Sequence, residues 1–263
     1  MAPLLYQVDA FTDQPFKGNP AAVCLLERQA EVTWMKAIAR EMNLSETAFI
    51  SPARGGWQLR WFTPKKEVDL CGHATLASAK VLFERDPTLK GKPILFKTRS
   101  GDLFARWADG DVELDFPAMP FRRFSYESHV ERAIGFRPLD AVFSGNYYLF
   151  EAEDEAMILN TTPDIPAIEK LPMPEVIITA RSKDPSYDFI SRFFAPQLGI
   201  AEDPVTGSAH CLLGPYWAEK LGKREFTAYQ ASPRGGILHL SLKGQRVMIR
   251  GTAVIIFVGE LQV

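Results

Sequence analysis

The chain has 263 residues, 46% of them apolar and 24% charged, with a formal net charge of −2. That balance belongs to a globular protein with room for one large domain or two ordinary ones, and it excludes a disordered chain. The near-neutral charge supplies no field that would gather nucleic acid or an anionic membrane.

Residues 4–10 alternate and predict a strand, and residues 32–42 carry Trp34, Ile38 and Met42 at helical spacing. Residues 47–50 and 57–62, rich in aromatic and β-branched side chains, read as strands. After Gly72 comes a run, 74–83, that is small or apolar on nearly every face, the pattern of a buried helix. Residues 95–116 then predict two or three antiparallel strands turning at Asp109-Gly110. Pro117-Ala-Met-Pro120 is the predicted boundary between an N-terminal half, 1–118, and a C-terminal half, 119–263. Central helices are expected near 73–85 and 208–221. Residues 161–175 carry four prolines and read as a loop with a short helix near Ile168. The last strand, from about Thr252, is expected to pair back onto the first half.

A buried helix among strands implies an α+β fold with a sheet curled around the helix in each half. No apolar run is longer than 253–258, far below the roughly 20 residues of a membrane span. The first residues lack the basic n-region and longer apolar stretch of a signal peptide, and three cysteines (Cys24, Cys71, Cys211) make no disulfide framework. A reduced, cytoplasmic compartment is the expectation.

A long-period repeat organises the chain. Arg60-Trp-Phe-Thr-Pro64 resembles Arg192-Phe-Phe-Ala-Pro196, at an offset of 132. Gly72-His-Ala-Thr75 resembles Gly207-Ser-Ala-His210, at 135, with Asp69 and Asp203 just upstream. Ser100-Gly101 with the glycine and aliphatic residues after it resembles the stretch from Ser232, and Gly18-Asn19 matches Gly145-Asn146 more weakly. Four matches in one order point to duplicated halves, with loop insertions absorbing the changes of offset.

Gly72 and Gly207 both precede predicted buried helices, whose first N–H groups are unpaired and carry partial positive charge. Two such starts suit a small anionic ligand, although either glycine alone is as readily a tight-turn residue. His73 and Ser208 follow the two glycines and are candidates to hydrogen-bond a substrate; the bland reading of His73 is a capping residue. Asp203 is either a turn former before Pro204 or an acid that orients a neighbour. Cys71 precedes Gly72, but Thr206 stands before Gly207, so a two-thiol racemase would lack half its apparatus.

Cys71, His73, His210 and Cys211 have no metal-ligand spacing, and adjacent helical residues such as His210 and Cys211 point about 100° apart. No metal is expected. The chain contains no G-x-G-x-x-G, P-loop or G-x-S-x-G motif, so nucleotide cofactors and serine hydrolysis lose their main support.

Asp9-Ala-Phe-Thr12, Phe16-Lys-Gly-Asn-Pro-Ala-Ala-Val23, Asn43-Leu-Ser-Glu-Thr-Ala-Phe49, Leu70-Cys-Gly-His-Ala-Thr75 and Glu202-Asp-Pro-Val-Thr-Gly-Ser-Ala209 resemble the PhzF family of phenazine-biosynthesis-like proteins. The resemblance extends over essentially the whole chain. It implies the diaminopimelate-epimerase-like fold, two pseudo-symmetric halves with the active site between them. It also implies a cofactor-free isomerisation of the kind the family performs on a dihydro-hydroxyanthranilate, where a glutamate moves a proton between carbons.

Glu46 matches that glutamate, and His73, Asp203 and Ser208 match the other polar residues of the family's site. Gly72 and His73, with Gly207 and Ser208, then become the substrate-binding residues. A closing cleft is expected to raise the Glu46 pKa toward neutrality by desolvation. The resemblance further implies a homodimer and a small anionic metabolite as ligand, with no cofactor. The competing reading is a non-catalytic member that binds a metabolite or protein partner.

Overall fold

A computed structural model describes residues 2–263. The chain divides into two compact units: residues 1–116 with 248–263, and residues 117–247.

The first unit begins with β1 (Leu4–Ala10), β2 (Asn19–Leu25), α1 (Val32–Met42), β3 (Glu46–Ala53), β4 (Gly56–Phe62), β5 (Glu67–Val68) and α2 (Gly72–Arg85). It continues through β6 (Ile94–Thr98), β7 (Gly101–Ala108) and β8 (Asp111–Pro117). β1 and β2 are antiparallel, β2 and β3 parallel, β3 and β4 antiparallel, and β4 runs parallel to β6. The hairpin β7–β8 turns at Asp109 and Gly110, both at positive φ, as a tight two-residue hairpin requires.

Eleven of the 14 residues of α2 are buried, on every face of the helix. It packs against β1, β2, β3 and β7, so the sheet of this unit wraps around it. An apolar-all-round helix has no other stable place to be. α1 is the opposite case: only Met35, Ile38 and Ala39 are buried, one stripe lying against β3 and β4.

The second unit contains β9 (Arg122–Arg123), α3 (Ser128–Ile134), β10 (Asp140–Ser144), β11 (Tyr147–Glu151), α4 (Glu155–Asn160) and α5 (Ile165–Glu169). Then come β12 (Glu175–Arg181), β13 (Phe189–Ala195), β14 (Ile200–Asp203), α6 (His210–Leu221), β15 (Glu225–Gln230) and β16 (Gly236–Lys243), and β17 (Arg246–Gly251) carries the chain back into the first unit. Its pairings repeat those of the first unit: β11 parallel to β12, β12 antiparallel to β13, and β13 parallel to β15.

The repeated arginines make the same bonds in both units. Arg60 forks onto Glu67 at 2.7 and 2.8 Å, and Arg192 onto Glu202 at 2.7 and 2.9 Å. Each guanidinium also lies over the phenylalanine two residues on, Phe62 at 5.3 Å and Phe194 at 5.1 Å. A lysine ammonium in place of either planar fork could not make the two parallel bonds to its carboxylate.

α6 starts at His210 because Gly207, Ser208 and Ala209 form a tighter turn, with i→i+3 bonds from His210, Cys211 and Leu212. Inside it, Pro215 has no N–H to give the Cys211 carbonyl, and the Met119 amide bonds that carbonyl at 2.9 Å instead. The last strand, β18 (Ala253–Glu260), returns to the first unit and pairs antiparallel with β1. No helix among the described residues is long and apolar enough to cross a membrane.

Candidate active site

The first unit collects Asn19, Ser45, Glu46, Cys71 and His73. Gly18, at φ +63°, turns the chain into β2; a Cβ there would lie 2.2 Å from the Ala10 carbonyl oxygen. The buried Asp9 carboxylate accepts the Phe16 amide at 2.7 Å and fixes the loop leading to that turn. Asn19 therefore enters β2 at a defined point, fully buried, with its side-chain nitrogen 3.2 Å from His73 Nδ1.

Ser45 donates to Asn19 Oδ1 at 3.3 Å, which sets the amide so that its nitrogen donates to the imidazole. Nδ1 is then the accepting nitrogen, with Cys71 Sγ also 3.6 Å away. The ring proton then sits on Nε2, which has Ser45 Oγ and Glu46 Oε2 both at 3.4 Å. Burial pushes the His73 pKa down to about 3, so this contact is between a neutral imidazole and a carboxyl group.

Glu46 opens β3 and is only 8% exposed. Its register partner on β2 is Ala21, a small residue that leaves room for the carboxyl group. His73 stands in the first turn of α2 behind Cys71, the helix cap, so Glu46 lies beside a helix start.

Glu46, Cys71 and His73 offer three donor atoms within 4.8 Å of one another. The cluster takes one atom from each residue and differs from the set read in the sequence, with Glu46 in place of His210 and Cys211.

The second unit collects Asp203, Thr206, Ser208, His210 and Gln230. Thr206, at the place of Cys71, donates to Asp203 Oδ2 at 2.5 Å. Gln230 accepts the Thr206 amide at 2.7 Å and donates to the Asp203 carbonyl at 2.8 Å, closing a buried polar network. Asp203 is 5% exposed, whereas Asp69, its counterpart before the first glycine, is exposed and paired with Arg99. Ser208 accepts from the Tyr147 hydroxyl at 3.0 Å. Glu46 and His73 thus come together in one unit, and Asp203 and Ser208 flank Thr206 in the other. Sequence reasoning passed over Asn19 as a ligand of His73, and over Gln230 and Tyr147, which no motif marked.

His210 holds the Thr206 carbonyl through Nδ1 at 2.8 Å, its Nε2 is buried without a partner, and burial lowers its pKa to about 4. Both buried histidines are neutral when folded and titrate near 6.5 when unfolded. The unfolded chain therefore binds protons that the folded chain refuses, and stability falls as pH drops below 6.5. The slope is up to about 1.4 kcal/mol per pH unit for each histidine, ending near pH 4 for His210 and pH 3 for His73. Urea unfolding midpoints should fall from pH 7 to pH 5, and a flat midpoint would contradict the buried neutral assignment.

The profile of the family described as phenazine biosynthesis-like protein, PhzC-PhzF, matches residues 8–259. The chain belongs to the PhzF family. An uncharacterized isomerase of Halalkalibacterium halodurans is 49% identical over 98% of this chain and 97% of its own length. The crystal structure of a PhzF-family protein from Enterococcus faecalis superposes with a TM-score of 0.95 at 42% identity, covering 100% of both chains. A hydroxyproline epimerase from Agrobacterium vitis, at 13% identity and a TM-score of 0.64, shares the fold alone. The fold is the α+β, diaminopimelate-epimerase-like architecture, and the PhzF relatives named as isomerases set the class of this chain as an isomerase.

Proposed function

We propose that this PhzF-family isomerase moves a proton between carbons of a small carboxylate or amino acid, without a cofactor, using Glu46 as general acid and base. The observation that carries the reading is the buried Glu46 carboxyl held beside a neutral His73 at the start of α2. Glu46 takes a proton from a carbon next to an electron-withdrawing group and returns it to another carbon of the same substrate. The carbanion's charge, delocalised onto an oxygen, is met by N–H groups such as those of Gly72 and His73 at the helix start.

A His73 pKa near 3 keeps that ring from competing for the travelling proton, and its Nε2–H, between Ser45 Oγ and Glu46, helps to orient the carboxyl. Because Thr206 replaces a second thiol and is engaged with Asp203, a single-base transfer fits the residues better than a two-thiol racemisation. Ser208 is assigned to the same reaction as a hydrogen-bond donor to the substrate, with Gly207, and Asp203 as the acid that holds Thr206.

The proposal includes a small anionic metabolite as ligand, a reduced cytoplasmic setting for the three buried thiols, and a homodimer, which sedimentation would reveal. Its test is incubation in deuterated water with a dihydro-hydroxyanthranilate, diaminopimelate, L-proline and trans-4-hydroxy-L-proline. Proton spectra should show a carbon-bound proton lost from at least one of them. Folded protein that exchanges none, beyond a sample without protein, would sink the isomerase mechanism.

A further inference from the structure

The duplication assigns a counterpart to Glu46. In the antiparallel ladders, Phe62 of the Arg60 motif pairs with Thr47, and Phe194 of the Arg192 motif pairs with Val176. The residues preceding those partners are Glu46 and Glu175, the first residues of β3 and β12. In the parallel ladders Glu46 lies opposite Ala21, whereas Glu175 lies opposite Tyr147. The second unit thus repeats the carboxylate but sets a phenol beside it where the first unit has a methyl group.

Register partners on adjacent parallel strands project to the same face, so Tyr147 stands beside Glu175, and its hydroxyl donates to Ser208 Oγ at 3.0 Å. Ser208 is in turn the counterpart of His73. Each unit therefore carries a glutamate at the start of a strand and a polar side chain just after the glycine. In the first they approach to 3.4 Å, and in the second a phenol bonded to the serine stands beside the glutamate.

We infer that Glu175 and Tyr147 are positioning residues that set which way the Ser208 hydroxyl points its proton. The inference rests on the reading of Ser208 as a donor to substrate. Tyr147 has one hydroxyl proton, given to Ser208 in this structure, and a carboxyl neighbour on the adjacent strand that can exchange one with it. With Glu175 protonated, the carboxyl donates to Tyr147, Tyr147 donates to Ser208 Oγ, and the Ser208 proton is directed at the substrate's developing oxyanion. With Glu175 ionised, the chain reverses: Ser208 donates to Tyr147 and Tyr147 to Glu175.

Passage between these states delivers one proton. The oxyanion takes the Ser208 proton, Ser208 takes that of Tyr147, and Tyr147 takes that of Glu175. The carboxyl becomes a carboxylate, the oxyanion a hydroxyl, and both intervening hydroxyls are regenerated. Burial and the Glu175 carboxylate hold the Tyr147 pKa well above the usual phenol range, so the phenol passes a proton along without resting as a phenolate.

The test uses Tyr147→Phe, Glu175→Gln and the double variant of the full chain, with a panel compound that the wild type turns over. Tyr147→Phe should lower kcat by about 10- to 100-fold with KM changed by less than about threefold, since the donor is needed most as charge develops. Glu175→Gln should lower kcat in the same sense, and the double variant should be no slower than Tyr147→Phe, because both act through one chain. A merely structural role would give losses that multiply and a lowered unfolding midpoint. Unaltered kcat in Tyr147→Phe, or multiplying losses, would overturn the relay while leaving Glu46 in place. A Glu46→Gln protein as active as wild type would instead strike the underlying reading.

Discussion

Replacing Glu46 with Gln should lower turnover by about 10²- to 10⁴-fold, the usual contribution of a general acid–base group, while the unfolding midpoint moves little. Glutamine keeps the shape of the side chain, and its oxygen can take the place of Oε2, 3.4 Å from His73 Nε2, while Ser45 Oγ stays the ring nitrogen's other neighbour. It cannot take or return a proton. The measurement is the rate of deuterium entry into a responsive substrate, with thermal unfolding as the control for folding. A variant within tenfold of wild type would remove Glu46 from the reaction. Turnover in the wild type itself would end the competing reading of a non-catalytic binding protein.

Trp217→Ala should destabilise the second unit by about 3–5 kcal/mol, the range for removing a fully buried large aromatic side chain. Trp217 is 1% exposed and lies flat on Phe189, with ring centroids 5.4 Å apart and planes 10° from parallel. Its Nε1–H donates to Thr179 Oγ1 at 3.1 Å, and Thr179 donates onward to the Ile190 carbonyl at 2.6 Å. Alanine leaves a large cavity under β12 and β13 and deprives Thr179 of a donor. Urea titration followed by intrinsic fluorescence and circular dichroism would read the loss. A cost below about 1.5 kcal/mol would mean that the surrounding strands collapse into the space.

The fold was legible where one residue type is obligatory. The strand read at residues 4–10 is β1, although it is buried on both faces, and the apolar stripe of 32–42 is α1, where periodicity does state which face is buried. The Arg60 and Arg192 motifs kept their likeness because each fork must meet a carboxylate, Glu67 or Glu202, across a strand turn. The fold class followed from the buried helix and from the family's motifs together.

The site was less legible because its members are joined by ladders and not by spacing. Glu46 has the local signature of an exposed strand-start residue, and its burial is decided by β2 lying parallel beside it. Only the resemblance singled it out. Asn19 and Gln230 are 54 and 24 residues from the partners they hold, His73 and Thr206, so no local pattern joins them. Tyr147 differs again: its link to Glu175 becomes visible only once the repeat is followed through the strand register.

The return of β18 to β1 governs how the chain can be made. β1 lies between β2 and β18, with Leu4 opposite Leu25 on one side and Glu260 on the other. Its first neighbour leaves the ribosome moments later, but the second follows only after the whole second unit, on the order of tens of seconds afterwards. Throughout that interval one edge of β1 presents unpaired N–H and C=O groups to any passing strand. The second unit is continuous in sequence and has all its own strands before the first unit has all of its own. A nascent chain stalled anywhere before Ala253 is therefore a half-closed sheet with an open seam, and the hazard of mispairing is concentrated in synthesis rather than in the finished protein.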